Sequence, residues 1–492
     1  MKLARSTKLY QANLMILFDS LSCRLSLLSV LLLITLTSCV TVGTQRGGEQ
    51  GLIATTSLSS SQPQVSLCLI SSGGDQNYQV RVDMEAIEVS AGGQWVSLLS
   101  QPLTLTSKQA SRGALLDRVQ APVGQYQRVR FRITQVVVEQ DGRETTLLPP
   151  SQPVEYPLAK VVSLEEGDSV TLFLHWDIAA SVIKAPQFIP AFGVSEQHIP
   201  LTTELAFVSC PEINTVYIIR TDQNRICGSW GIFGAPTSLH ASKAGNILYV
   251  LAEDQATIVA VELSSGKVRD RIRIPMATRP SLMTIDSAGR NAYLVDQATG
   301  MVFRVDLDTG SLAAQIRLGD RLDYCVFLEE SQIVAVSSSQ SQKVVLLDPM
   351  TLQVRQSIAV GTNPEGIAEY DGNLYIAESR ANTVGMYSMG SGASLRQHVG
   401  LGPSRILFHE RSLFVANSQG GSVSVLRPDQ LTVVKEIATG GSPGEMAISF
   451  ARNWLYAVDG SANLVTVIDL STQKLESEID LRAKPFDIVV IQ

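Results

Sequence analysis

The sequence predicts an all-β chain: an N-terminal β-sandwich over residues 65–200, then a C-terminal seven-bladed β-propeller over residues 201–492. Three observations predict it. A proline recurs at Pro236, Pro280, Pro364, Pro403, Pro443 and Pro485, at steps of 44, 84, 39, 40 and 42 residues, where 84 is two units. A period near ~40 marks a radial or stacked array. Between the prolines, short apolar runs alternate with polar residues and are broken by Gly, Asp and Asn, the pattern of strands and turns. Residues 65–200 alternate in the same way but lack the period.

The unit holds four short strands. In one copy these are residues 247–251, 257–263, 267–274 and, after Pro280, 282–285. Ser264-Ser265-Gly266 supplies turn chemistry between two of them. No i, i+3, i+4 stripe is long enough for a helix, which excludes a helical solenoid. Four strands per ~40 residues make a propeller blade. The unit around Leu322-Asp323-Tyr324 keeps its place without a Pro.

Counting closes the ring. Six full units begin near Ile247, Asn291, Ile333, Leu374, Leu413 and Leu455. Three strands precede them, at 205–209, 215–219 and 225–230, and one strand comes after them, at 486–491. Together these complete a seventh blade. Sharing that sheet between the two ends of the array removes a free edge, which would otherwise template aggregation.

The repeated phrases carry a resemblance. Leu374-Tyr375-Ile376-Ala377, Val465-Thr466-Val467-Ile468-Asp469 and the run from Val360 through Gly361-Thr362-Asn363-Pro364 to Ala368 are similar to bacterial YVTN-type seven-bladed propeller repeats. The resemblance covers residues 203–492. It implies the fold, on which binders, scaffolds and some enzymes are built.

The first 64 residues read as an address and a tether. Residues 25–36 form a twelve-residue apolar stretch after Arg24, a signal-peptide core too short to span a bilayer. It ends in Leu36-Thr37-Ser38-Cys39, which resembles the bacterial lipobox. That resemblance implies removal of residues 1–38 and lipidation of Cys39, with the membrane as a partner through the lipid. Several acyl chains on one residue anchor firmly, whereas one anchors only marginally. Val40 in place of Asp after the Cys resembles the outer-membrane pattern, facing periplasm or cell surface. Residues 39–64 hold the lipidated Cys and a flexible linker rich in Gly, Ser, Thr and Gln. Loss of residues 1–38 takes four basic residues and one acidic one, leaving 35 basic, 45 acidic and a net charge of −10. Nucleic acid is excluded as a partner by that sign.

The sandwich rests on alternation. Val129, Phe131 and Ile133 share one face and Arg128, Arg130 and Arg132 the other. Asp141-Gly142 and Ala91-Gly92-Gly93 mark hairpin turns. Val170, Leu172, Leu174 and Trp176 alternate with Thr171, Phe173, His175 and Asp177. Seven or eight strands are expected. The phrases from Ala121-Pro122-Val123-Gly124 to Arg130, and from Leu172-Phe173-Leu174-His175-Trp176 to Val182, resemble an uncharacterised sandwich domain of bacterial lipoproteins. His175-Trp176 stands where that family more often carries an Asp-aromatic pair.

Catalytic signatures do not assemble. Six Cys include Cys23 in the leader and Cys39, and the other four show no C-x-x-C pair. Cys210 and Cys227 fall on the second and fourth strands of one blade. Two strand spacings, ~9.6 Å, exceed disulfide reach, so they read as buried thiols. The five His, at 175, 198, 240, 398 and 409, are not at metal-ligand spacing. No G-x-S-x-G, H-E-x-x-H or phosphate loop occurs.

The remaining constellation is geometric. Residues just after each Pro open the innermost strand at one mouth of the channel: Thr237, Ser238, Ser281, Asp323, Tyr324, Glu365, Ser404, Arg405, Glu445, Phe486 and Asp487. Asp323, Glu365, Arg405, Glu445 and Asp487 are the candidate binding residues there. Loops expected on the same rim add Glu212, Glu253, Asp254, Asp296, Glu378 and Asp459. Shared carboxylates would focus a negative potential able to hold a cation or a basic partner. The alternative is a solvated channel capped by polar side chains that bind nothing. The functional expectation is non-catalytic binding or scaffolding at the outer membrane, with a protein partner in the envelope, no cofactor and no resident metal. The alternatives are a metal-assisted lactonase or lyase with Glu365, Glu445 and Asp487 as ligands, or an accessory subunit of an envelope complex.

Overall fold

A computed structural model describes residues 62–71, 78–182, 187–196, 203–242, 246–319 and 321–491. The leader at 1–38, Cys39 and the tether up to residue 61 lie outside the described residues.

Two sheets make the first domain. One joins Phe192–Glu196, Ser169–Trp176, Gln64–Ser71 and Ala114–Gln120 in that order; the other is built on Gln79–Ala91 and Gly124–Gln140. Alternation decides what faces inward. Val129 and Phe131 are buried while Arg128 and Arg132 stay exposed. They meet Leu67, Leu69, Leu172, Leu174 and Trp176 from the opposite sheet in one core. Both predicted hairpins form two-residue turns. Asp141 and Gly142 sit at φ 51° and 72° between Gln140 and Arg143. Gly92 and Gly93 sit at 56° and 84° between Ala91 and Gln94. Positive φ at both central residues matches the twist of the flanking strands. Among the described residues the sandwich has ten strands rather than seven or eight. Short ones such as Leu103–Thr106 and Phe192–Glu196 carry too few residues to show a period.

Among the described residues, seven four-stranded antiparallel sheets follow the sandwich. Blades one to six open on the innermost strands Pro236–Ser242, Pro280–Ile285, Leu322–Leu328, Pro364–Tyr370, Pro403–His409 and Pro443–Ser449. Blade seven joins Ile488–Ile491 to Leu205–Cys210, Thr215–Arg220 and Arg225–Gly231. Val208 pairs with Ile488 and Leu205 with Ile491. The pairing extends one step further, because Phe486 N–H donates to Ser209 O (2.9 Å) and Ser209 N–H to Asp487 O (3.0 Å). Each innermost strand touches the next around the ring, including Ile488–Ile491 between Pro443–Ser449 and Pro236–Ser242.

Blades bury their faces against each other. Leu374 and Ile376 of blade four pack with Ala335, Val344 and Leu346 of blade three. The Val, Leu and Ile side chains in these contacts contribute about 1.5–3 kcal/mol each on burial. Outer strands such as Val354–Ala359 are mostly exposed.

The prolines have a structural task. Pro236, Pro280, Pro364, Pro403 and Pro443 each open an innermost strand opposite Ala252, Asp296, Glu378, Asn417 and Asp459. Leu322 takes that place in blade three, opposite Ser338. Pro lacks an N–H and is tolerated at a strand's first residue. In all six blades the register shifts immediately afterwards. A bulge of this kind re-aims the next side chains along the strand, here at the channel mouth.

The sandwich packs on blade seven. Strand Ser169–Trp176 is buried on both sides: Leu172, Leu174 and Trp176 enter the sandwich core, while Phe173 joins Cys68, Leu115, Cys210, Tyr217 and Ile226. Arg118 donates to Tyr217 Oη (3.0 Å) and to Arg482 O (2.8 Å), and Arg482 donates back to Leu116 O. Thr171 and Ser229 hydroxyls meet at 2.7 Å. A Cβ on Gly231 would lie 2.3 Å from Gly167 O, so this joint admits no side chain there.

Candidate functional site

The innermost strands bring the five predicted residues to the channel mouth. Arg405 of blade five sits at its centre. Its guanidinium is paired with Glu445 of blade six, lies 3.5 Å from Glu365 of blade four, and stands 4.9 Å over the ring of Tyr324 of blade three. Side-chain exposures of 18%, 15% and 26% for Arg405, Glu445 and Glu365 make these partly buried pairs, not surface ones. Gly366 allows this approach, since a Cβ there would lie 2.8 Å from Arg405 Cα.

The electrostatics stem from that packing. Burial works against the charge on Arg405, but Glu445, Tyr324 and Glu365 outweigh it and lift its pKa. Burial raises the Glu365 carboxyl, opposed by Arg405. Burial, then Glu445, raises the Tyr324 hydroxyl. Asp323 accepts from Arg321 (3.1 Å) and from Ser339 N–H (2.7 Å).

Asp487 lies on the closing strand and reaches across to blade one. Its carboxylate accepts from Leu239 N–H (2.8 Å), Ser238 Oγ (3.2 Å) and Ile488 N–H (2.7 Å). Burial, reinforced by the like charge of Glu445, pushes its pKa from 3.8 up to about 7. Of the four carboxylates and one Arg expected there, Arg405 thus pairs with Glu365 and Glu445, Asp323 pairs with Arg321, and Asp487 has only backbone and hydroxyl donors.

The neighbouring loops correct the expectation further. Asp296, Glu378 and Asp459 are buried, at 0%, 0% and 2% exposure, so they present no carboxylate on the rim surface. Asp296 accepts backbone N–H groups from Thr278, Arg279, Ala298 and Thr299. Asp459 does the same for Ser442, Ser461 and Ala462. Glu378 takes Gly361 N–H, Thr383 Oγ1, Tyr387 Oη and Arg396. These residues end the second strand opposite the strand-opening Pro. The loop leading into that Pro has N–H groups that no ladder satisfies, and a buried donor must find an acceptor. Glu253 is paired with Arg279 at 3.0 Å; Glu212 and Asp254 stay exposed.

Sequence reasoning missed part of the site. Asp323, Glu365 and Arg405 line a cavity of about 400 Å³ together with Arg321, Asn363 and Ser379. Gln297, Arg380 and Gln419 complete its wall. Gln297, Ser379, Arg380 and Gln419 come one or two residues after the end of a second strand. The signal was therefore a fixed position in the repeat, next to the buried acceptor just described.

The other chemical groups stand apart. Cys68, Cys210, Cys227 and Cys325 are buried free thiols, and burial pushes all four up to about 12. His175 Nε2 meets Ser195 Oγ at 2.7 Å, and burial lowers its pKa. His409 packs its ring on Phe450. His198 lies outside the described residues. Among the described residues no three His, Cys, Asp or Glu side chains cluster to hold a metal ion.

No protein family matches this chain by sequence, and no curated protein matches it. Solved structures resemble it. Dihydro-heme d1 dehydrogenase NirN in complex with DHE is 16% identical with a TM-score of 0.46, over 58% of this chain; the match spans 64% of the NirN chain, less than two thirds of it. A functionally unknown protein from Desulfotomaculum acetoxidans DSM 771 is 14% identical with a TM-score of 0.51, over 56% of this chain and 95% of that one. At these identities the likeness is one of fold alone.

Proposed function

We propose that this chain is a lipid-anchored envelope protein whose propeller binds a partner at the channel mouth without catalysing a reaction. The anchor is the lipid on Cys39, and the destination is the outer membrane, facing periplasm or cell surface. The lipobox-like Leu36-Thr37-Ser38-Cys39 and the YVTN-type phrases support that assignment.

One observation carries the binding reading. Arg405 spends its charge on Glu445 and Glu365, Arg321 pairs with Asp323, and Asp487 takes three hydrogen bonds from its own surroundings. Charges matched inside the protein are held rigidly. A rigid, polar, concave face suits recognition, where preorganisation lowers the entropy lost on binding. Asp487, pushed up to about 7, has a value that general acid–base work could use, but its carboxylate already accepts from Leu239 N–H, Ser238 Oγ and Ile488 N–H.

Co-purification from detergent-solubilised membranes tests the reading, with the co-eluting proteins identified by mass spectrometry. A stoichiometric partner should appear, and the double variant Arg321→Glu/Arg380→Glu should lose it, with Arg380→Glu alone, which breaks no ion pair, as the folding control. Capture that survives the double reversal would count against the mouth. Stoichiometric metal in the purified protein, lost in Glu365→Gln, would turn the reading to a metal-assisted enzyme.

A further inference from the structure

The cavity beside Arg405 has an unbalanced wall. Its residues come from blades two to five, with none from blades six, seven and one. Its volume, about 400 Å³, lies within the usual range of small-molecule sites, about 300–1,000 Å³. Two of its three guanidiniums are matched: Arg405 to Glu365 and Glu445, and Arg321 to Asp323. The third, on Arg380, is exposed and has no hydrogen bond or ion pair with any described residue. Asp323, Glu365 and Glu445 equal the three guanidiniums in number, but all three are taken up by Arg321 and Arg405, so Arg380 stands without a counter-ion among the described residues.

The neutral groups are equally specific. Asn363 gives its Nδ2 to Glu365 Oε1 (3.0 Å) and Ser379 Oγ (2.5 Å), so its Oδ1 remains to accept. Gln297 and Gln419 are exposed amides, each with donors and an acceptor. An apolar ligand would strip water from these groups and leave them unpaired, which disfavours it. A ligand with one carboxylate and several hydroxyls would pair them. A guanidinium takes a carboxylate through two parallel N–H bonds.

We propose that this cavity binds a small polyhydroxylated carboxylate, a sugar acid or hydroxy acid, with its carboxylate on Arg380 and its hydroxyls on Asn363, Gln297 and Gln419. The proposal rests on the binding reading above and gives that site a ligand class.

Titration calorimetry of the full lipidated chain in detergent tests it, with glucuronate, glucose and acetate as probes. Glucuronate should bind saturably, and glucose and acetate at least about tenfold more weakly, because each lacks half of the recognised chemistry. Arg380→Ala should weaken glucuronate by about tenfold or more, and Arg380→Lys by less. Arg380 lies on an exposed turn, so both variants should keep the wild-type melting curve, which serves as the folding control. No saturable glucuronate binding at millimolar concentration, equal binding of acetate, or an unchanged Arg380→Ala would overturn the proposal. Should the mouth still capture a protein partner, only the ligand class falls; should both fail, the binding reading falls with it.

Discussion

Replacing Asp487 by Asn should change how propeller stability depends on pH. Asp487 is partly buried on the strand that closes the ring, with Glu445 as a like-charged neighbour. Its pKa is pushed from 3.8 to about 7 in the fold. A raised folded-state value means that the neutral carboxyl is the favoured native form. The stability it contributes is complete below about pH 4 and is lost as pH rises through about 7. At ~1.4 kcal/mol per pH unit, the full span is worth about 4 kcal/mol. Asn resembles the neutral acid at every pH and keeps an oxygen for Leu239 N–H and Ser238 Oγ. Wild type and Asp487→Asn should therefore be close at pH 4, with the variant more stable by a few kcal/mol at pH 8. Denaturant unfolding monitored by fluorescence reads this, since Trp230 and Trp454 lie in blades seven and six. Comparing the two proteins at each pH cancels the titration of other carboxylates. Parallel pH profiles, or a variant that loses ground as pH rises, would refute the reasoning.

The same contacts give other expected outcomes. Arg405→Leu strands Glu365, and Glu445 beside Asp487, and should cost about 3–5 kcal/mol in denaturant unfolding. Arg405→Leu/Glu445→Leu should recover part of that loss, because Glu445 is no longer left unpaired while Glu365 still is. Tyr217→Phe removes the acceptor for Arg118 and the partner of Ser66 at the sandwich–propeller joint. It should cost about 1–3 kcal/mol and speed limited proteolysis between residues 196 and 205. Cys68, Cys210, Cys227 and Cys325 should resist a thiol reagent at pH 8 in native protein and all react in denaturant, since burial holds them at about 12.

Some features were legible in the sequence because of where the physics acts. The blade repeat could be read because the blades meet the same constraints: a Pro at the strand opening in all but blade three of the six full blades, a bulge after it, two buried middle strands. The ring's closure was readable because the strand count left three strands before the six full units and one after them. Asp296, Glu378 and Asp459 were misplaced on the rim because an acid at a strand end looks alike whether it faces solvent or satisfies a loop's N–H groups. Only the paired register shows that each stands opposite a Pro beside unsatisfied donors. Arg405 was legible as a mouth residue but not as the counter-ion of two neighbouring blades, since that contact joins residues 40 apart in sequence. The double-sided burial of Ser169–Trp176 hid behind its alternation: Phe173 reads as the solvent side until blade seven covers it.

Site-specific photo-crosslinking in native membranes tests the central claim most directly. A crosslinking side chain in place of Gln419, at the mouth, is compared with one in place of Glu476 on the exposed outer strand Lys474–Asp480. Binding at the mouth gives one discrete adduct from position 419 and none from 476. An adduct from 476 with none from 419 would contradict it.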